Sequence, residues 1–194
     1  MAFILLGGNN VFSQPQKGFD MGKLYDIAIK KYLLPSEGHS LSIIYLEKPS
    51  FDPEYSIQLL DFKDSIQLEG HLFKESYWYQ LFRHIKQYQN AEFEPEVSHY
   101  SILVSKLFYQ KMQSVFSETI NSKASDYINP NEMGVDGTTY LFRLGDGDNY
   151  FELWEPKANS MAFKTAAICK EIAISLKSNN FNEMEIIKAI DELR

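Results

Sequence analysis

The chain switches its hydrophobic period between two and three-to-four residues, and this alternation limits what it can fold into more than any other feature. Three stretches, 41–47 (LSIIYLE), Tyr55–Phe62 (YSIQLLDF) and Ser65–Phe73 (SIQLEGHLF), are separated only by short breaks at Pro49, Pro53 and the pair Lys63 and Asp64. Stretches of this kind bounded by turn residues read as strands, and such short connections join antiparallel neighbours. Over 106–122 the period changes. Phe108, Met112, Val115, Phe116 and Ile120 recur at three- and four-residue intervals, the stripe of an amphipathic helix lying on a sheet. Two more strands, Thr138–Leu144 and Tyr150–Trp154, flank the sequence Gly-Asp-Gly-Asp-Asn, whose residues tolerate positive φ and so favour a hairpin.

The remaining segments fit the same scheme. Asp20 caps a helix through Leu24, Ile27, Ile29 and Tyr32, which Pro35 ends. The segment 75–88 (ESYWYQLFRHIKQY) spaces Trp78, Leu81, Phe82 and Ile85 as a helix, although its aromatic content also suits a strand. A polar loop over 90–97 leads to a short strand, 100–104 (YSILV). Ser160 caps a helix to about 178 that is apolar on more than one side, and Asn182, with Glu185 three residues on, opens the last helix. The expected architecture is α+β: an antiparallel sheet of about five or six strands, with helices packed on one face, those starting near 106 and 160, and flanking helices at 20 and 182. Its expected core contains Ile43, Ile57, Leu59, Ile102, Leu103, Phe108, Met112, Phe116, Tyr140, Phe142, Ile168, Ile172, Ile187 and Ile190.

At 194 residues, the chain is long enough to bury about 70% of its unfolded surface in one domain, taken as 14–194. Residues 1–13 (MAFILLGGNNVFS) resemble the end of a secretory signal peptide with a cut before Gln14, so export is expected, with the cytosol as the alternative. No Lys or Arg precedes Lys17 to supply the basic segment of such a signal. The apolar run is far below the ~20 residues that span a bilayer, so no membrane span is expected.

A net charge of −7 and a pI of about 5.1 argue against nucleic acid as a partner, because phosphate neutralisation needs clustered Lys and Arg. The chain's one cysteine, Cys169, lies in an apolar helical pattern and reads as a buried structural thiol. The histidines at 39, 71, 84 and 99 show no pair spaced three or four residues apart on a helix, so no HExxH metal site is readable. Asp146 fails as the start of an EF-hand, since Phe151 and Lys157 stand where Gly and Glu are required. No phosphate-binding glycine loop or serine-nucleophile elbow is present. The motifs point to no cofactor, no metal and no catalytic residue.

The most distinctive stretch is 134–156 (GVDGTTYLFRLGDGDNYFELWEP). Its acidic residues outnumber Arg143 and accompany exposed-type aromatics, so the hairpin is expected to bind a basic or amphipathic protein partner through Asp136, Tyr140, Asp146, Asp148, Glu152 and Trp154. The rival expectation is a small hydrolase or carbohydrate-active domain whose carboxylates converge only on folding. The pattern Asp136-Gly137-Thr138, Tyr140, Phe142, then Trp154 and Pro156 before a helix resembles one seen in small bacterial proteins without an agreed activity, some exported and some linked to toxin neutralisation. The resemblance covers roughly 134–177. It implies a hairpin followed by a helix, a bacterial origin and an immunity-type role, and it transfers no catalytic residue.

Overall fold

Alternation along each strand and the register between strands account for the architecture. The computed structural model describes residues 20–34, 42–88, 93–122, 137–145 and 149–193. The expected signal segment, the turn after Pro35, the loop through Asn129, Pro130 and Asn131, and the tip of the late hairpin lie outside them. Six strands, β1 (Ser42–Pro49), β2 (Tyr55–Phe62), β3 (Ser65–Phe73), β4 (Val97–Val104), β5 (Thr138–Leu144) and β6 (Tyr150–Trp154), form one antiparallel sheet in the order β4-β3-β2-β1-β5-β6. Five helices accompany it: α1 (Met21–Leu33), α2 (Tyr77–Tyr88), α3 (Lys106–Asn121), α4 (Met161–Lys177) and α5 (Glu183–Asp191). The α+β expectation is met, and the doubtful aromatic segment is a helix.

Because successive side chains of a strand point to opposite faces, each strand contributes to two layers. On one face Ile43, Tyr45, Ile57, Leu59, Leu68, Phe142 and Phe151 pack against Phe108, Met112 and Phe116 of α3, Ile168 and Ile172 of α4 and Ile187 of α5. Here Phe142, fully buried, meets the rings of Tyr45 and Phe116 at 5.4 and 5.6 Å. Cys169 is buried in the same layer. Thr119 and Thr165 bridge α3 and α4 by a 2.8 Å hydrogen bond between their hydroxyls, which satisfies two polar groups inside an apolar interface.

Helices also lie on the second face. Leu46, Phe73 and Leu141 pack there against Tyr25, Ala28, Ile29 and Leu33 of α1 and Tyr77 and Leu81 of α2, so the sheet is roofed on both sides instead of having only flanking contacts at residue 20. The end of α1 is fastened to β2, since the Leu33 carbonyl accepts from the Ser56 hydroxyl and from Gln58 Nε2. The start of α2 is fastened by Glu54, whose buried carboxylate accepts from the Tyr77 N–H at 2.9 Å. Burial raises the Glu54 carboxyl above its ordinary value, opposed by that N–H. Elsewhere Asp20, Ser105, Ser160 and Asn182 each accept from backbone N–H groups of the first helical turn, as capping requires.

Two details differ from the expectation. Leu103 is not core: it is 72% exposed. Ile102 and Leu103 are consecutive in β4, so only one can face α3 and α4, and Ile102 is the one packed there. The same strand begins at Val97, paired with Phe73, not at Tyr100, because the polar residues Ser98 and His99 occupy register positions opposite β3. Replacing Phe142 with Ala should cost about 3–5 kcal/mol, read as a lower midpoint in reversible urea unfolding.

Candidate functional site

The hairpin carries the residues singled out in the sequence, and the fold separates them. Tyr140 projects toward the α3 and α4 side, opposite Glu47 of β1 and beside the ring of Tyr45 at 6.4 Å. Glu152 and Trp154 lie on the other side of the sheet with Tyr150. Asp136, Asp146 and Asp148 lie outside the described residues. Glu152 is paired with Lys48 of β1 at 2.7 Å, and Glu155 Oε1 accepts from the Thr138 N–H at 2.6 Å. The described carboxylates of the hairpin are therefore engaged inside the molecule.

The motif that prompted the resemblance has a structural reading here. The indole of Trp154 lies against Gly137 so closely that a Cβ built on residue 137 stands 2.3 Å from Trp154 Cζ2. Ser50 completes the clasp: its hydroxyl donates to the Gly137 carbonyl at 2.8 Å, and its backbone N–H donates to the same oxygen at 2.9 Å. Gly137 and Trp154 thus lock the base of the hairpin to the end of β1. Gly137→Ala should destabilise the fold by about 1–3 kcal/mol through overpacking, measured by thermal and urea unfolding.

Next to Tyr140, a buried polar cluster stands on β1 and β2. Glu47 Oε2 accepts from the hydroxyls of Tyr45 and Tyr55, each at 2.6 Å. Burial, reinforced by neighbouring ionisable groups, raises both phenols above their ordinary range, and burial with Glu47 nearby does the same to the Cys169 thiol. Tyr140 is pushed up to about 12, first by burial and then by Glu47. Glu47 is committed to these tyrosines, whereas Glu54 serves α2.

Raised tyrosine pKa values have a defined consequence for stability. The folded phenols hold their protons above pH ~10, where unfolded tyrosine releases them. Their contribution is complete below that pH and is lost as pH rises toward the folded value. Unfolding free energy measured at successive alkaline pH values should fall above about pH 10. A Tyr55→Phe variant should show a smaller alkaline fall.

At the far edge of the sheet the structure assembles a group that the sequence reading scattered. His71 of β3 and His99 of β4 are directly opposite in register, and Glu69 precedes His71 by two residues on the same face. The Lys74 N–H donates to the Glu96 carbonyl at 3.0 Å, which fixes the phase of the β3–β4 ladder and makes His71 and His99 a non-hydrogen-bonded pair, the kind with the closer side chains. Their rings stack at 4.5 Å with an interplanar angle of 16°. His71 Nε2 lies 3.1 Å and His99 Nε2 3.7 Å from Glu69 Oε2. Gln67 Nε2 donates to Glu69 Oε1 at 3.0 Å, which orients the carboxylate. Burial lowers the His71 imidazole below its ordinary value. No helical spacing announces this group. The readable signal was a Glu-x-His alternation on one strand and a lone His on another, and only the register joins them.

No protein-family model and no curated protein sequence matches the chain.

Proposed function

We propose that this protein is a non-enzymatic binding protein that captures an extended segment of a partner polypeptide along β6. The observation that carries this reading is the edge geometry of that strand. The Leu144 N–H donates to the Asn149 carbonyl and the Glu155 N–H to the Thr138 carbonyl, each at 3.0 Å. The two-residue alternation of an antiparallel ladder then turns the N–H and C=O groups of Tyr150, Glu152 and Trp154 away from β5. A strand edge of this kind is a template for an added strand.

The side chains beside this edge favour recognition. Tyr150 is 47% exposed, the Glu152 and Lys48 pair is partly exposed, and half-buried Trp154 is held by Gly137. Tyrosine and tryptophan supply contact area at low entropic cost. A net charge of −7 favours a basic segment. Tyr140, turned to the interior, plays no part in this surface. An exported, immunity-type role against a toxin is one setting for such capture.

A proline at position 152 tests the reading, because an outward N–H on an edge strand is where proline is tolerated while strand addition is blocked. The full chain should bind members of an array of extended peptides alternating basic and apolar residues. Glu152→Pro should weaken that binding by at least about 10-fold, with Glu152→Gln separating the loss of charge from the loss of the N–H. Absence of peptide binding by the full chain, or equal binding by Glu152→Pro, overturns it.

A further inference from the structure

The face of the sheet that carries Glu152 at one edge carries Glu69, His71 and His99 at the other, with α1 and α2 packed on the strands between them. The group combines two imidazole nitrogens and one carboxylate oxygen, all within 4.8 Å of one another. Zinc bonds of about 2.0–2.2 Å to such donors imply ligand-to-ligand edges of roughly 3.3–3.5 Å in a tetrahedron. The two separations to Glu69 Oε2, 3.1 and 3.7 Å, bracket that edge. The two rings, stacked at an interplanar angle of 16°, must turn out of the stack for both nitrogens to point at one ion.

We propose that Glu69, His71 and His99 form a binding site for one first-row divalent transition-metal ion of the zinc class. Three features of the fold support it. The donors project from two paired strands, which hold a constellation more firmly than a loop does. Gln67, hydrogen-bonded both to Glu69 Oε1 and to Ser101 Oγ, acts as the outer partner that fixes a ligating carboxylate. His99, 53% exposed against 20% for His71 and 15% for Glu69, places the site at the surface, with an approach for the ion. Nitrogen donors exclude magnesium and calcium as preferred ions, because those cations select oxygen.

The site competes with a plain alternative, in which His71 and Glu69 only hydrogen-bond one another. Titration of the full, tag-free, chelator-treated chain with Zn(II) alone separates the two. At pH 7.5, isothermal calorimetry should give saturable binding of one ion per chain. His99→Ala should weaken that affinity by more than about 100-fold, and Gln67→Leu by about 10-fold, while His84→Ala on α2 leaves it unchanged. Affinity should fall as pH is lowered through the imidazole range, since both rings bind as neutral ligands. Zn(II) should raise the Tm of the wild-type chain and leave that of His99→Ala unmoved. The metal-free Tm of His99→Ala should match wild type, because this ring is the exposed member of the group. Absence of saturable binding, binding that His99→Ala retains, or displacement of Zn(II) by millimolar Mg(II) overturns the proposal. None of these outcomes bears on peptide capture at β6, which lies at the opposite edge.

Discussion

Strand β1 is the constraint on which the rest of the structure depends. It hydrogen-bonds to β2, its neighbour in sequence, and to β5, which arrives after α2, β4 and α3 have been laid down. The β1–β5 ladder, from Ile43 opposite Leu144 to Pro49 opposite Thr138, therefore joins an early meander to a late hairpin. It also decides which way every side chain of β5 and β6 faces, since a one-residue slip would exchange the two sides of both strands. Phe142 reaches the core and Glu152 reaches Lys48 because that register holds.

The two faces of the sheet answer different needs. The side under α3, α4 and α5 is a continuous apolar layer, interrupted by Glu47 and its two tyrosine donors, where polar groups are satisfied within the protein. The side under α1 and α2 has an apolar cluster in its middle beside the buried Ser56 and Gln58. Toward both edges it turns polar, with Glu69, His71 and His99 on one flank and Lys48, Glu152 and Tyr150 on the other. Helices α1 and α2 pack on the strands between these two flanks.

Much of the fold was legible because it rests on local chemistry. Short runs of strand-forming residues and the caps at Asp20, Ser160 and Asn182 each act within a few residues. What escaped was what depends on register and on packing at a distance. Leu103 faces the second side of the sheet on the edge strand β4, outside the cluster under α1 and α2, and is exposed. Helix α1 packs on the second face through Tyr25, Ala28, Ile29 and Leu33, and Ser56 and Gln58 of β2 fasten its terminal carbonyl there. His71 and His99 looked isolated because a helix separates their strands. The hairpin residues looked like one surface, yet strand alternation sends Tyr140 inward and the Gly137 clasp engages Trp154.

The placement of the two tryptophans gives the molecule a pair of internal reporters. Trp78 stacks on Tyr25 at 4.7 Å between α1 and α2, and Trp154 rests on Gly137 at the base of the hairpin. One indole therefore senses the helical roof and the other the base of the hairpin at the β5–β6 edge. With two tryptophans in the sequence, fluorescence from variants that keep one or the other can distinguish lifting of the roof from melting of the sheet beneath it.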